Sequence, residues 1–197
     1  MKKIAITGGI GSGKSFALNC LRDLGYPTFS CDEIYKEIIC SPVYILEIEK
    51  NFPTCVNDGV IDRKALSSIV FADSHARQKL NEIAHPFIMQ TLLERMRKTQ
   101  AEFVFAEVPL LFEGNFENLF DGVVIVNREI KERVGAVCAR DNLAEQEVLD
   151  RINAQIDYHS LMTSNRLKND NVFILENEGD SLSLKNNILA IINSLKK

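Results

Sequence analysis

Residues 8–15 read Gly8-Gly9-Ile10-Gly11-Ser12-Gly13-Lys14-Ser15, a complete G-x-x-x-x-G-K-[ST] phosphate loop close to the start of the sequence. Few motifs constrain a fold as tightly. The loop needs a buried strand before it and a helix after it. Lys2-Lys3-Ile4-Ala5-Ile6-Thr7 is short, apolar and β-branched, as a buried parallel strand should be. In the segment that follows, Ala17, Leu18 and Leu21 fall at helical spacing. Side chains would block the approach of a polyphosphate, so glycines let successive backbone N–H groups curl around it. The helix N-terminus adds about half a positive charge. Gly9, Gly11, Ser12, Gly13, Lys14, Ser15 and the next residue, Phe16, are the candidate nucleotide-binding positions. Lys14 reaches β/γ-phosphates and Ser15 ligates Mg²⁺ in such loops.

Further apolar runs at 26–30, 102–108, 123–127 and 171–176 alternate with helical patterns. That alternation predicts a doubly wound parallel sheet of five strands flanked by helices. The stretch between the second and third strands far exceeds the ~10–12 residues that a crossover needs. It reads as an inserted helical subdomain, with helices over 32–40, 43–51 and 63–72 and a long pattern over 74–98. Asn57-Asp58-Gly59 is a turn, and Pro86 should kink or break the long pattern. A charged helical region over 129–165 leads into the last strand and carries Arg133, Arg140 and Arg151, with Arg166 just beyond it. An amphipathic helix over 181–195 closes the domain.

The chain has 197 residues and a net charge of −4, which suits one α/β domain with insertions and argues against a general nucleic-acid binder. No apolar run approaches the ~20 residues of a membrane span. Strand and loop begin at once, so no signal peptide is expected. The five cysteines contain no C-x-x-C pair and read as reduced thiols of a cytoplasmic protein. No protein partner is evident.

A phosphate loop alone fits a GTPase switch, a motor ATPase or a small-molecule kinase. The D-x-x-G and N-K-x-D strings of a GTPase are absent. A kinase needs an acceptor pocket, an acid near the acceptor hydroxyl and cations that close over the phosphates. Asp32 lies just past the second strand, at the sheet edge where ligands bind in open α/β folds. It reads equally as a base for an acceptor hydroxyl or as a helix N-cap. Glu107 ends the third strand, either as an acid that orients water on Mg²⁺ or as a plain surface glutamate. His85-Pro86 reads by itself as a helix break with a polar tip, and Arg140 as a solvated charge.

Taken together, the loop, Asp32-Glu33-Ile34, His85-Pro86, Val108-Pro109-Leu110-Leu111-Phe112-Glu113, Arg140-Asp141 and Asn153-Ala154-Gln155 resemble the dephospho-CoA kinase family, in order and at about its spacing. The likeness extends to about Gly179. It implies a P-loop NTPase fold with a nucleotide core (1–31, 100–128 and 166–197), a helical substrate domain (32–99) and a helical lid (129–165). It implies ATP and Mg²⁺, dephospho-CoA as small-molecule substrate, and phosphorylation of its ribose 3′-hydroxyl in the last step of coenzyme A synthesis. Asp32 matches the catalytic base, Lys14 the loop lysine and Arg140 a lid arginine on the ATP phosphates. His85 and Pro86 match an acceptor-side motif, and Pro109, Leu110, Leu111 and Glu113 a string lining the cleft. Ser15 and Glu107 are the candidate metal residues, although relatives vary at Glu107. Two departures stand out. Ser30-Cys31-Asp32 replaces a common D-A-D, leaving Asp32 the only acid there, and Phe16 replaces the usual Thr after the loop.

Overall fold

The computed structural model describes residues 1–164, 167 and 171–196. The chain forms two compact units: residues 1–29 with 99–197, and residues 30–98.

The first unit is built on a five-stranded parallel sheet in the order β2-β5-β1-β6-β7. Its strands are β1 (Lys2–Thr7), β2 (Thr28–Ser30), β5 (Phe103–Glu107), β6 (Gly122–Asn127) and β7 (Val172–Glu176). Each arises from one of the apolar runs, with bounds that differ from the run by at most two residues at either end. β1 lies between β5 and β6, with Ile6 opposite both Glu107 and Val124. Hence the residue that ends β5 stands beside the last turn of chain before the phosphate loop.

Helices α1 (Lys14–Asp23) and α9 (Ser181–Leu195) cover the sheet with Ala17, Leu18 and Leu21 on one and Leu184, Ile188, Ile192 and Leu195 on the other. They share a core with Ile4, Ile6, Phe103, Phe105, Val124, Val126 and Leu175. The charged region after β6 forms three helices, α6 (Ile130–Asp141), α7 (Glu145–Asn153) and α8 (Tyr158–Thr163). Asp157 and Asp180 cap α8 and α9 by accepting from backbone N–H groups of their first turns. Arg166 lies outside the described residues.

The second unit holds α2 (Cys31–Ile38), α3 (Pro42–Asn51), α4 (Arg63–Ala72) and α5 (Ser74–Lys98), plus a hairpin of β3 (Val56–Asn57) and β4 (Val60–Ile61). The turn at Asn57-Asp58-Gly59 is thus a hairpin turn. Asp58 (φ 49°) and Gly59 (φ 73°) both take the left-handed conformation that a tight two-residue connection needs.

The expected break at Pro86 does not occur: α5 is one helix of 25 residues with Pro86 inside it. A proline in a helix interior costs about 3 kcal/mol. Burial of Ala84, Met89, Leu92 and Met96 on either side of it offsets that cost, since α5 packs against α2, α3 and α4. Leu92 is fully buried (0% exposed). Leu92→Ala should therefore destabilise the protein by about 2–5 kcal/mol in urea unfolding. A loss under about 0.5 kcal/mol, the level of a surface change, would contradict this packing.

Candidate active site

The phosphate loop joins β1 to α1 and is shaped for a ligand. Gly13 (φ 98°) precedes α1 and, having no side chain, does not itself cap the helix's first turn. A Cβ on Gly13 would collide with the Asn177 amide, which donates to the Ser12 carbonyl at 2.8 Å. Lys14 Nζ donates to the carbonyls of Gly8 (2.9 Å) and Gly9 (3.1 Å), so its ammonium lies across the loop. The Ser12 hydroxyl is buried with no hydrogen-bond partner among the described residues, the state expected of a group whose partner is a ligand oxygen. Phe16 is 45% exposed at the start of α1.

Ser15 Oγ donates to Glu107 Oε1 at 3.0 Å. Glu107 is only 6% exposed, so it is no surface residue. Its place at the end of β5, one strand from β1, brings it to the loop. A hydroxyl and a carboxylate are hard oxygen ligands that fit Mg²⁺. Among the described residues no cluster of three His, Cys, Asp or Glu side chains forms a self-sufficient metal cage. A Mg²⁺ ion here would take its other ligands from nucleotide and water, as Mg²⁺ commonly does.

After β5 the chain turns through Pro109, Leu110, Leu111 and Phe112. Pro109 and Leu110 are half-buried, whereas Leu111 is fully buried and belongs to the core rather than to a surface a ligand could touch. Glu113 is exposed and accepts from the Ile156 N–H at 3.4 Å. Phe112 packs edge-on against Tyr158, whose hydroxyl lies 3.1 Å from Thr7 Oγ1 at the foot of the loop. Burial pushes the Tyr158 phenol up to about 12 despite the Thr7 hydrogen bond, which pulls the other way.

Arg140, on α6, forms a bidentate pair with its neighbour Asp141 (2.7 and 2.8 Å) and is exposed. Among the described residues it is Arg133 that touches the loop, its Nε donating to the Ile10 carbonyl at 2.9 Å. Burial holds the Arg133 guanidinium below its ordinary value. Gln155 completes the contact by accepting from the Ile10 N–H at 2.7 Å. Sequence reasoning did not single out Arg133, Tyr158 or Asn177 as loop contacts. The only available signal was Gln155, quoted within a string but without a role.

In the second unit, Asp32 is exposed in the first turn of α2. The N-cap position belongs to Ser30, two residues earlier, so the capping reading of Asp32 does not hold. His85 is half-buried on α5 and Pro86 is exposed. Burial holds the His85 imidazole below its ordinary value. The unfolded chain then binds the proton more readily, so acidification through about 6.5, the unperturbed histidine value, costs stability. The melting temperature should fall between pH 7.5 and 5.5, and less steeply in His85→Gln. An identical slope in the variant would contradict this placement of His85.

A model of the dephospho-CoA kinase family matches residues 2–182. The chain belongs to the dephospho-CoA kinase family. Among curated relatives, the dephospho-CoA kinase of Thermus thermophilus is 34% identical over 192 residues, covering 98% of this chain and 91% of the relative. A crystal structure from the same organism superposes with a TM-score of 0.84 at 33% identity, over 100% of this chain and 98% of the other. Dephospho-CoA kinase from Campylobacter jejuni superposes with a TM-score of 0.68 at 28% identity, over 98% and 96%. Membership makes the chain a kinase of the P-loop class. Among the described residues no helix is long and apolar enough to cross a membrane.

Proposed function

We propose that the chain transfers the γ-phosphoryl group of ATP to the ribose 3′-hydroxyl of dephospho-CoA, giving coenzyme A and ADP. The observation that carries this reading is a family match over residues 2–182 that includes a fully formed phosphate loop. The loop's N–H groups and the Ser12 hydroxyl receive the β- and γ-phosphates. Lys14 moves from the Gly8 and Gly9 carbonyls onto phosphate oxygens. Mg²⁺, held by Ser15 with Glu107 behind it, supplies further neutralisation of phosphate charge when bound. Arg140 exchanges Asp141 for a phosphate oxygen as the lid, residues 129–165, closes. Closure also excludes water, which competes as acceptor.

Residues 32–99 serve as the acceptor domain, with His85, Pro86, Pro109, Leu110 and Glu113 on the acceptor side. Leu111 contributes there only through packing. Asp32 takes the proton of the acceptor hydroxyl, and no second acid stands at position 30 to share that role. The transition state of such transfers is loose, so positioning and electrostatics dominate the rate. The cysteines, with no C-x-x-C pair among them, are in keeping with a cytoplasmic site of action.

The test is ADP release measured with dephospho-CoA, AMP, CMP and nucleosides as separate acceptors. Dephospho-CoA should stimulate release far above the rate without acceptor. Equal or greater stimulation by a nucleoside or a monophosphate would overturn the substrate assignment. Slow hydrolysis indifferent to every acceptor would favour a nucleotide-binding switch.

A further inference from the structure

The reaction above leaves Gln155 and Arg133 without a task, yet both touch the phosphate loop. Their hydrogen bonds meet at Ile10, while Arg133 also lies against Gly9 and Gly11. Gln155 Oε1 accepts from the Ile10 N–H at 2.7 Å, and Arg133 Nε donates to the Ile10 carbonyl at 2.9 Å. Both polar backbone groups of Ile10 are therefore held by side chains from outside the loop. The Ile10 side chain is held as well, packed on the small core that Val134 and Val137 of α6 form with Val148 of α7. The next residue, Gly11 (φ 77°), fits so closely that a Cβ there would lie 2.7 Å from the Arg133 carbonyl oxygen.

This matters because a glycine-rich loop is not rigid by itself. Glycines lose more conformational freedom on ordering than other residues, and a ligand that had to order them would bind more weakly. A phosphate nest acts well only when its N–H groups already converge. Gln155 fixes the Gly9–Ile10 peptide plane and Arg133 the Ile10–Gly11 plane, so rotation about Ile10 is restrained before any nucleotide arrives.

We propose that Gln155 and Arg133 are positioning residues for ATP, which clamp the two peptide planes flanking Ile10 and make that residue the joint that couples phosphate binding to α6 and α7. The proposal rests on the reading above only in taking ATP as the ligand.

Calorimetric titration of ATP into the full-length wild type, Gln155→Met, Arg133→Met and the double variant tests it. Gln155→Met leaves the Ile10 N–H unpaired, and the dissociation constant for ATP should rise roughly 5- to 100-fold. Affinity for dephospho-CoA should stay at the wild-type value. The double variant should lose less than the product of the single losses, because both residues restrain the same residue, Ile10. A purely structural role would lower the melting temperature and leave ATP affinity of the folded protein intact. A change below about 5-fold in folded Gln155→Met therefore overturns the proposal. Hydrogen exchange on the wild type needs no variant to fold. ATP should slow exchange across α6 and α7, and unchanged exchange there overturns the coupling. If ATP binding depends on Gln155 while dephospho-CoA fails as acceptor, the substrate reading falls and the clamp stands.

Discussion

Asp32→Asn should lower kcat by about 10²–10⁴-fold, the usual contribution of a general base, with the KM for ATP close to that of the wild type. Asn keeps the shape of the side chain and cannot accept the proton. The loss should be large here because Ser30 carries no carboxylate that could share the role, and Glu33 is the one other acid in the first turn of α2. Asp32 is exposed in the first turn of α2 and is not its N-cap, so the substitution should cost little stability. That separates a catalytic loss from a folding one. Steady-state ADP release against ATP concentration measures both constants. Near-full turnover in Asp32→Asn would leave the residue only its weak interaction with the helix dipole.

Lys14→Ala should also disable the enzyme, lowering kcat by about 10²–10³-fold, as removal of one preorganised donor to transition-state charge typically does. It should raise the KM for ATP too, since the ammonium meets phosphate in the ground state as well as in the transition state. The same Nζ bonds the Gly8 and Gly9 carbonyls, so part of the effect is a less ordered loop. Lys14→Arg distinguishes the two contributions: it keeps the charge but misplaces it, and should recover ATP binding more than turnover. A Lys14→Ala enzyme within about 10-fold of wild-type kcat would contradict the loop's place at the reacting phosphate.

Much of the fold was legible because buried parallel strands are continuous apolar runs. Ile4-Ala5-Ile6, Phe103-Val104-Phe105-Ala106 and Val123-Val124-Ile125-Val126 each announce themselves. The β3–β4 hairpin did not, because two residues per strand leave no alternation to read. Of the two outcomes expected at Pro86, the break does not occur, since a local penalty of about 3 kcal/mol says nothing of the packing on either side. The phosphate loop was legible because its chemistry is local: glycine, lysine and serine at fixed spacing fold against their own backbone. Glu107 could be read only as one of two alternatives, a metal-side acid or a surface glutamate, because its burial depends on which strand pairs with β5. Arg133 and Arg140 lie about two helical turns apart on one charged helix, and a charge run does not say which cation turns inward. The Arg133, Gln155 and Asn177 contacts span more than a hundred residues of sequence and follow from the tertiary fold alone.

The account's central claim is the identity of the bond made. Incubation with ATP and dephospho-CoA, followed by mass spectrometry and phosphorus NMR of the product, measures it directly. The account predicts a product heavier than dephospho-CoA by one phosphoryl group, carried as a monoester on the ribose 3′-oxygen, with one ADP formed for each. A product phosphorylated elsewhere, or ADP and inorganic phosphate with dephospho-CoA unchanged, would contradict it.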